Sequence, residues 1–589
     1  MRTRLTSGSF LVLFCKKEPL ACLAWRVIAK AAWYCTAVIA FADLLERLVF
    51  TPGRLAKIAL LRRYFATQPD PDRGIGLAAI TGELSFAAAK PALIRDLAMA
   101  RTDPALFEWS YDYVGDLAET AALIWPGALT NAAPPGLAEV VETLRATPKA
   151  ELPRVVAGWL DASDASVRLA LLKLITGGLR VGASARLAKI ALSELSDGRI
   201  APDDIEEVWH GLLPPYGGLF AWIEGHGERP DPAGAPVFRP PMLAHPLEAP
   251  DIAGLNASAY RAEWKWDGTR VQLVATPGGK RIYSRGAEDI SGGFPDILGA
   301  MDFDAVLDGE LLVRRDEEDV APFADLQQRL NRKLVSAKML RDYPVMVRLY
   351  DLLFDGAEDL RPLPFDQRRA RLEAWFARTR PARMDLSAMI PFASLADLSA
   401  LRDGARAAAI EGLMLKRGDS AYVPGRPKGL WWKWKRAPLT IDAVMMYAQR
   451  GHGKRSSYYS DYTFGLWRDN ADGSRDLLPV GKAYSGFTDQ ELAFLDKWVR
   501  NHTTARFGPV REVERGLVLE IAFDAAQLSA RHKSGVALRF PRVARLRTDK
   551  PAGEADLLET LMRMIVQGNV PVVSEVEPAP EPGSDPMLS

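Results

Sequence analysis

Lys265 stands in the run Glu263-Trp264-Lys265-Trp266-Asp267-Gly268-Thr269-Arg270, between strand-forming residues and an Asp-Gly pair. A lysine is a nucleophile only when its amine is neutral. Nearby cations and partial burial both favour that form. The Asp267-Gly268 turn would present the amine at the mouth of a pocket, and Arg270 is a cation suited to neutralise a phosphate or hold a ribose. A plain hairpin with a solvated lysine could also carry Lys-x-Asp-Gly, but with Glu263 and Arg270 in place chance is a poor explanation.

Further groups of the same kind follow. Ser284-Arg285-Gly286 comes after a second hairpin, and Leu307-Asp308-Gly309-Glu310 ends an apolar strand with a carboxylate. Tyr350-Asp351 lies in the next strand, Glu411-Gly412-Leu413-Met414-Leu415-Lys416 repeats the strand-plus-carboxylate theme, and Trp431-Trp432-Lys433-Trp434-Lys435 carries two lysines. Side chains on a strand alternate with period two, so Lys433 and Lys435 share a face. Taken singly, Glu310 and Glu411 read as strand-end carboxylates, Tyr350 as core, and the lysine pair as a charged edge strand.

The elements that must position these groups come in three stretches. Residues 41–225 read as helical, with apolar residues at helical spacing from 41 to 50 and a capping region at 163–166 before the run 167–175. Gly177-Gly178-Leu179-Arg180-Val181-Gly182 then reads as a loop between two helices, or as a backbone-and-arginine contact to phosphate. Residues 225–241 have linker composition. After them the pattern turns to strands at 260–265, 270–275, 280–284, 305–313 and 345–354, with helix at 365–378 between, which is an α+β arrangement. A smaller β-rich unit, with strands at 441–447, 462–467 and 516–523, suggests a five-stranded oligonucleotide-binding barrel. Residues 574–589 are rich in Pro and Glu and read as disordered.

Bulk composition narrows the classes. The chain has 589 residues and a net charge of +1, so several domains are expected and any nucleic-acid contact must come from local patches. Two such patches exist: residues 416–436 and 531–550 each hold seven basic residues against one acidic. The three cysteines, Cys15, Cys22 and Cys35, all lie near the beginning, which excludes a cysteine zinc site or disulfide framework further on. The six histidines are scattered. No uncharged stretch near the beginning is long enough to span a membrane. Residues 1–40 read as an extension outside the fold.

The residues of the first two paragraphs, in their order and spacing, resemble the nucleotidyltransferase motifs of the ATP-dependent DNA ligases. The resemblance runs from about residue 41 to 568. It implies a helical (all-α) DNA-binding domain at 41–226, a linker at 227–240, an α+β, ATP-grasp-like adenylation domain at 241–438 and an all-β oligonucleotide-binding (OB-fold) barrel at 439–570, with a disordered tail at 571–589. It implies that Lys265 takes AMP from ATP, that the AMP passes to the 5′-phosphate of a DNA nick, and that the 3′-hydroxyl then displaces it. Lys433 and Lys435 would meet the α-phosphate, with Arg426 upstream of them. Glu310 and Glu411 would hold Mg²⁺ or ribose hydroxyls. Tyr350 would stack on adenine, Glu263 would read the base edge, and Arg270 and Arg285 would meet ribose or phosphate. The Gly177–Gly182 loop, through Arg180, matches a DNA contact, as do Lys454 and Arg455 at the start of the barrel. Arg539, Arg542, Arg545, Arg547, Asp549 and Lys550 resemble the last motif, which must visit ATP and later swing away, with hinges at 225–241 and 436–440. A monomer acting on nicked duplex DNA in the cytoplasm, with no membrane association, is expected.

Rival readings are an RNA ligase, an mRNA-capping guanylyltransferase, and a DNA-binding scaffold with a dead pocket. The helical stretch before Lys265 argues against the first two, and the intact Lys265, Glu310, Glu411, Lys433 and Lys435 argue against the third. An NAD-dependent ligase would carry a four-cysteine zinc module, which the cysteine positions rule out.

Overall fold

The computed structural model describes residues 37–126, 135–177, 179, 181–232, 234–314, 320–330, 332, 334–405, 410–450, 458–529 and 532–566. They fall into two compact units that divide between residues 233 and 234. None of the described helices is long and apolar enough to cross a membrane.

The described residues of the first unit contain helices and no strand, from Ala37–Phe50 and Arg54–Thr67 to Pro202–Trp209 and Gly217–Glu224. Phe41, Leu44, Leu45 and Leu48 lie on one helical face and are buried with Leu61, Phe65, Leu171 and Leu192. Helix Ala37–Phe50 takes in residues 37–40 of the stretch expected to lie outside the fold, and Val38 is a fully buried member of that core. The helix Ala165–Thr176 starts where Asp164 accepts from the Val167 N–H at 2.9 Å and stops at Gly177, whose φ of 66° only glycine takes freely. Two buried charge groups brace the unit: Lys189 with Glu206 at 2.5 Å, and Arg73 with Asp70 and Glu224.

The second unit begins with two sheets. The five-stranded sheet runs β1 (His245–Pro246), β11 (Trp431–Lys435), β10 (Ile410–Arg417), β2 (Tyr260–Trp266), β9 (Met389–Ile390). The other runs β4 (Gly279–Ser284), β3 (Thr269–Thr276), β5 (Ala305–Val313), β6 (Val345–Asp355), β7 (Glu358–Asp359), with β8 (Met384–Leu386) parallel to β6. Alternation divides the first sheet cleanly. Ala262, Leu413, Leu415, Trp432 and Trp434 pack into one apolar layer, which leaves Glu263, Lys265, Met414, Lys433 and Lys435 for the opposite face. β5 is buried along nearly its whole length, its apolar ends flanking the buried Asp308 and the half-buried Glu310.

The remainder of the unit is a seven-stranded antiparallel sheet rather than a five-stranded one. β12 (Leu439–Arg450), β13 (Tyr459–Asp469), β14 (Arg475–Ala483), β15 (Thr503–Phe507), β16 (Val510–Val513), β17 (Val518–Phe523) and β20 (Arg542–Arg547) compose it. The strand count rises because β12 has 12 residues and changes neighbours along its length: residues 439–444 pair with β17, and residues 447–449 pair with β16. β18 (Ala525–Leu528) and β19 (Val536–Arg539) form a separate hairpin. Helix Asp489–Asn501 closes one side behind a capping box of Thr488 and Glu491.

Candidate active site

Pairing between β2, β10 and β11 fixes one face residue by residue. Lys265 lies opposite Gly412, which lies opposite Lys435, while Glu263, Met414 and Lys433 form the next row and Arg261, Lys416 and Trp431 the row beyond. The second sheet supplies the facing wall, with Arg270 on β3, Glu310 on β5 and Tyr350 on β6. Between them is a cleft of about 600 Å³, a size that suits a nucleotide-sized ligand. Glu263, Lys265, Arg270, Arg285, Glu310, Tyr350, Glu411, Arg426, Lys433 and Lys435 all line it. Arg539 joins them, while Arg542, Arg547, Asp549 and Lys550 are not among its lining. Arg180, Lys454 and Arg455 lie outside the described residues.

Two glycines bring the charged groups together. A Cβ on Gly268 would lie 2.5 Å from the Leu311 carbonyl oxygen, so only glycine lets the turn after Lys265 sit against β5. Gly412 has φ 149°, and its Cβ would lie 2.2 Å from the Trp434 carbonyl oxygen. The register against β2 slips between Ile410 and Gly412, which makes Glu411 a bulged residue without a partner opposite. The bulge re-aims Glu411, whose Oε2 reaches Lys265 Nζ at 2.6 Å and Lys435 Nζ at 3.3 Å.

Electrostatics divide the two carboxylates. Burial pushes the Glu411 carboxyl up, but Lys265 and Lys435 overcome it and hold the group down at about 2. Burial pushes Glu310 up to about 8, against the pull of Lys265 and with the help of Glu411. Burial lowers Lys433 from the usual lysine range, reinforced by Arg426, Lys435, Lys265 and Arg285. Arg270 makes three hydrogen bonds inside the wall. It donates to the Met242 carbonyl at 2.6 Å, to Asp308 at 2.5 Å and to Tyr422 at 2.9 Å, so it meets the cleft mainly as charge.

Several participants were not singled out from sequence. Asp267 bonds Arg539 from β19, and burial raises its carboxyl while Arg539 opposes the rise. Asp524 lies 3.7 Å from Lys435 and 3.0 Å from Arg542. Asp442 pairs with Arg547 at 2.7 Å and with Lys550 at 2.8 Å, and neither cation lines the cleft. Phe540, 60% exposed, lines the cleft beside Arg539. Lys416 and Trp431 lie on its floor.

A lysine beside paired acids, ringed by cations, can hold a phosphate-bearing molecule and attack it. The comparisons with known proteins agree with such a site. Residues 241–435 match the ATP dependent DNA ligase domain, and residues 455–550 match the ATP dependent DNA ligase C terminal region. A probable DNA ligase of Koribacter versatilis (strain Ellin345) is 31% identical over 558 residues, covering 87% of this chain and 94% of the relative. A probable DNA ligase of Anaeromyxobacter sp. (strain K) is 30% identical, covering 88% of this chain and 98% of the relative. A solved structure described as "Pmar-Lig_PreS3" matches 86% of this chain and 99% of its own with a TM-score of 0.51 at 15% identity, a likeness of fold. The chain belongs to the ATP-dependent DNA ligase family. It is a DNA ligase that uses ATP.

Proposed function

We propose that Lys265 is the residue that carries AMP, and that the cleft of β2, β10 and β11 seals nicks in duplex DNA through that adduct. The observation that carries this reading is the single face that sets Lys265, Lys433 and Lys435 side by side with Glu411 2.6 Å from the nucleophile. In the first step the Lys265 amine gives up a proton and attacks the α-phosphorus of ATP. A P–N bond forms, the bond to the bridging oxygen breaks, and pyrophosphate leaves with the electron pair. Lys433 and Lys435 neutralise the α-phosphate, and Tyr350 stacks on the base above Glu263. In the second step an oxygen of the 5′-phosphate at the nick displaces the lysine nitrogen. In the third the 3′-hydroxyl attacks that activated phosphate, and AMP leaves. Chemistry of this kind is mainly positioning and charge neutralisation.

Glu310 and Glu411 fit a Mg²⁺ ion. Among the described residues no cluster of three or more metal-binding side chains exists, but Mg²⁺ needs only one or two carboxylates beside substrate phosphates. Glu310 is a buried carboxyl that a cation would restore to its ionised form. The ion would supply charge neutralisation at the phosphates.

The reading extends to the rest of the chain. Residues 41–226 are the DNA-binding part, with Arg180 as a contact, and residues 439–570 form an OB-fold barrel that adds Lys454 and Arg455. The last motif, with Arg539, Arg542, Arg547, Asp549 and Lys550, visits ATP for the first step and later swings away, turning at residues 225–241 and 436–440. A monomeric cytoplasmic enzyme acting in DNA repair, replication or recombination is the biological setting. The deciding experiment is incubation with ATP and Mg²⁺ followed by mass spectrometry and a nick-sealing assay. AMP mass on Lys265 and loss of sealing in Lys265→Ala are expected. An unlabelled Lys265 overturns the reading, and labelling from GTP alone points to a capping enzyme.

A further inference from the structure

Away from the cleft, the β12–β20 sheet carries a charge cluster that the chemistry above leaves unexplained. Its centre is Asp442 on β12, a buried carboxylate. Asp442 Oδ2 accepts from Arg547 at 2.7 Å and from Lys550 at 2.8 Å, across 105 and 108 residues of sequence. Its Oδ1 is buried and has no hydrogen-bond partner among the described residues. The main chain is fixed at the same point. The Asp442 N–H donates to the Asp556 carboxylate at 2.8 Å, and the Asp556 N–H donates to the Asp442 carbonyl at 2.9 Å.

Strand register brings the group together. Asp442 lies opposite Glu520 on β17, and Glu520 lies opposite Arg545 on β20. Arg547 is two residues further along β20, so period two keeps it on the face of Asp442. Its guanidinium is gripped on both edges. Nη1 meets Asp442, while Nε and Nη2 meet Asp549 at 3.0 and 2.9 Å. Arg547 and Lys550 are long side chains with many rotamers, yet both are largely covered where Asp442 holds them.

We propose that Asp442 is a positioning residue for the loading of AMP: it holds Arg547 and Lys550 side by side, so that the last motif brings a preformed pair of cations to the phosphates of ATP. This rests on the reading above that the last motif visits ATP for the first step. A pair ordered beforehand does not lose its side-chain freedom again on meeting the polyphosphate, and the gain in affinity arises there. The effect has a sign that separates it from simple charge. One carboxylate beside two cations weakens their field. A mere counter-ion would therefore oppose ATP, and its removal would tighten binding, whereas removal of a positioning group loosens it.

The test follows lysyl-AMP formation on the full-length protein over a range of ATP concentrations with Mg²⁺. Beside it runs the sealing, without ATP, of a nicked duplex that already carries AMP on its 5′-phosphate. Asp442→Asn should raise the KM for ATP by roughly 10-fold and leave sealing of the adenylated nick within about 2-fold of wild type. Asp442→Glu keeps the charge and moves it by one methylene. It should raise the KM as well, and it decides the matter if Asp442→Asn does not fold. An unchanged or lowered KM, or equal slowing of both reactions as a merely structural residue would cause, overturns the proposal. Arg547→Ala and Lys550→Met variants that load AMP like wild type fail the underlying reading instead, a distinct result.

Discussion

Two lysine–glutamate pairs in this molecule have nearly the same length and different surroundings. Lys189 and Glu206, in the helical unit, are 2.5 Å apart, with the Lys189 ammonium 4.4 Å from the Trp209 ring centre and its side chain 4% exposed. Lys265 and Glu411, in the cleft, are 2.6 Å apart, about a quarter exposed, and Glu411 is shared with Lys435. The first pair is nearly closed to solvent, with side chains 4% and 12% exposed. The second faces open volume, with Glu310 and Lys433 in reach of its field. Bond length therefore does not separate the closed pair from the one that lines the cleft; the number of like charges crowded around it and its access to ligand do.

That contrast can be broken by substitution. Lys265→Ala should leave the melting temperature nearly unchanged and reduce nick sealing by at least about 10³-fold, measured by gel assay with ATP as sole nucleotide. Lys189→Met should do the reverse. It strands a buried Glu206 and should cost about 3 kcal/mol in a denaturant titration, with sealing per folded molecule unchanged. A Lys189 variant that folds well but seals poorly would erase the distinction. Glu411→Gln should slow lysyl-AMP formation by about 10²-fold with little loss of stability, since it relieves crowding near Glu310. Arg539→Ala, which frees Asp267, should slow sealing by about 10-fold, a smaller effect because Lys265 and Glu411 remain in place.

The smallest expected effect concerns pH. Glu310 sits at about 8 when folded, above its ordinary 4.5, so the folded state binds its proton more tightly than the unfolded chain. The stability this contributes is present below the unfolded value and is lost as pH rises through the folded one. Without nucleotide or divalent cation, the wild-type melting temperature should fall between about pH 5 and 8 more steeply than that of Glu310→Gln. Parallel curves would show that Glu310 has no raised affinity for its proton.

The sequence disclosed the cleft's components better than their partnerships. β5 was readable because Ala305-Val306-Leu307 and Leu311-Leu312-Val313 are apolar on either side of Asp308-Gly309-Glu310, and the lysine pair of β11 because period two fixes its face. Arg270 was expected at a phosphate, yet much of its hydrogen bonding goes to Asp308 and Tyr422, 38 and 152 residues away, contacts no local pattern could announce. Lys416 read only as the end of a strand, because its burial depends on three rings brought by other elements. The bulge at Glu411 was equally hidden. Helix Asp489–Asn501 does carry a local signal, the Thr488-x-x-Glu491 capping pattern.

The strand slip beside Glu411 has a consequence for how this gene can vary. At position 412 any atom beyond the α-carbon collides with the Trp434 and Lys435 backbone, which cannot retreat without moving Lys433 and Lys435. No other amino acid fits, so a random-substitution library should return an empty column there, as barren as position 265, although glycine takes part in no chemical step. On the proposed role of Lys265, tolerance maps of this chain should mark two kinds of intolerance with the same blank: one where an amine is required, and one where no side chain fits.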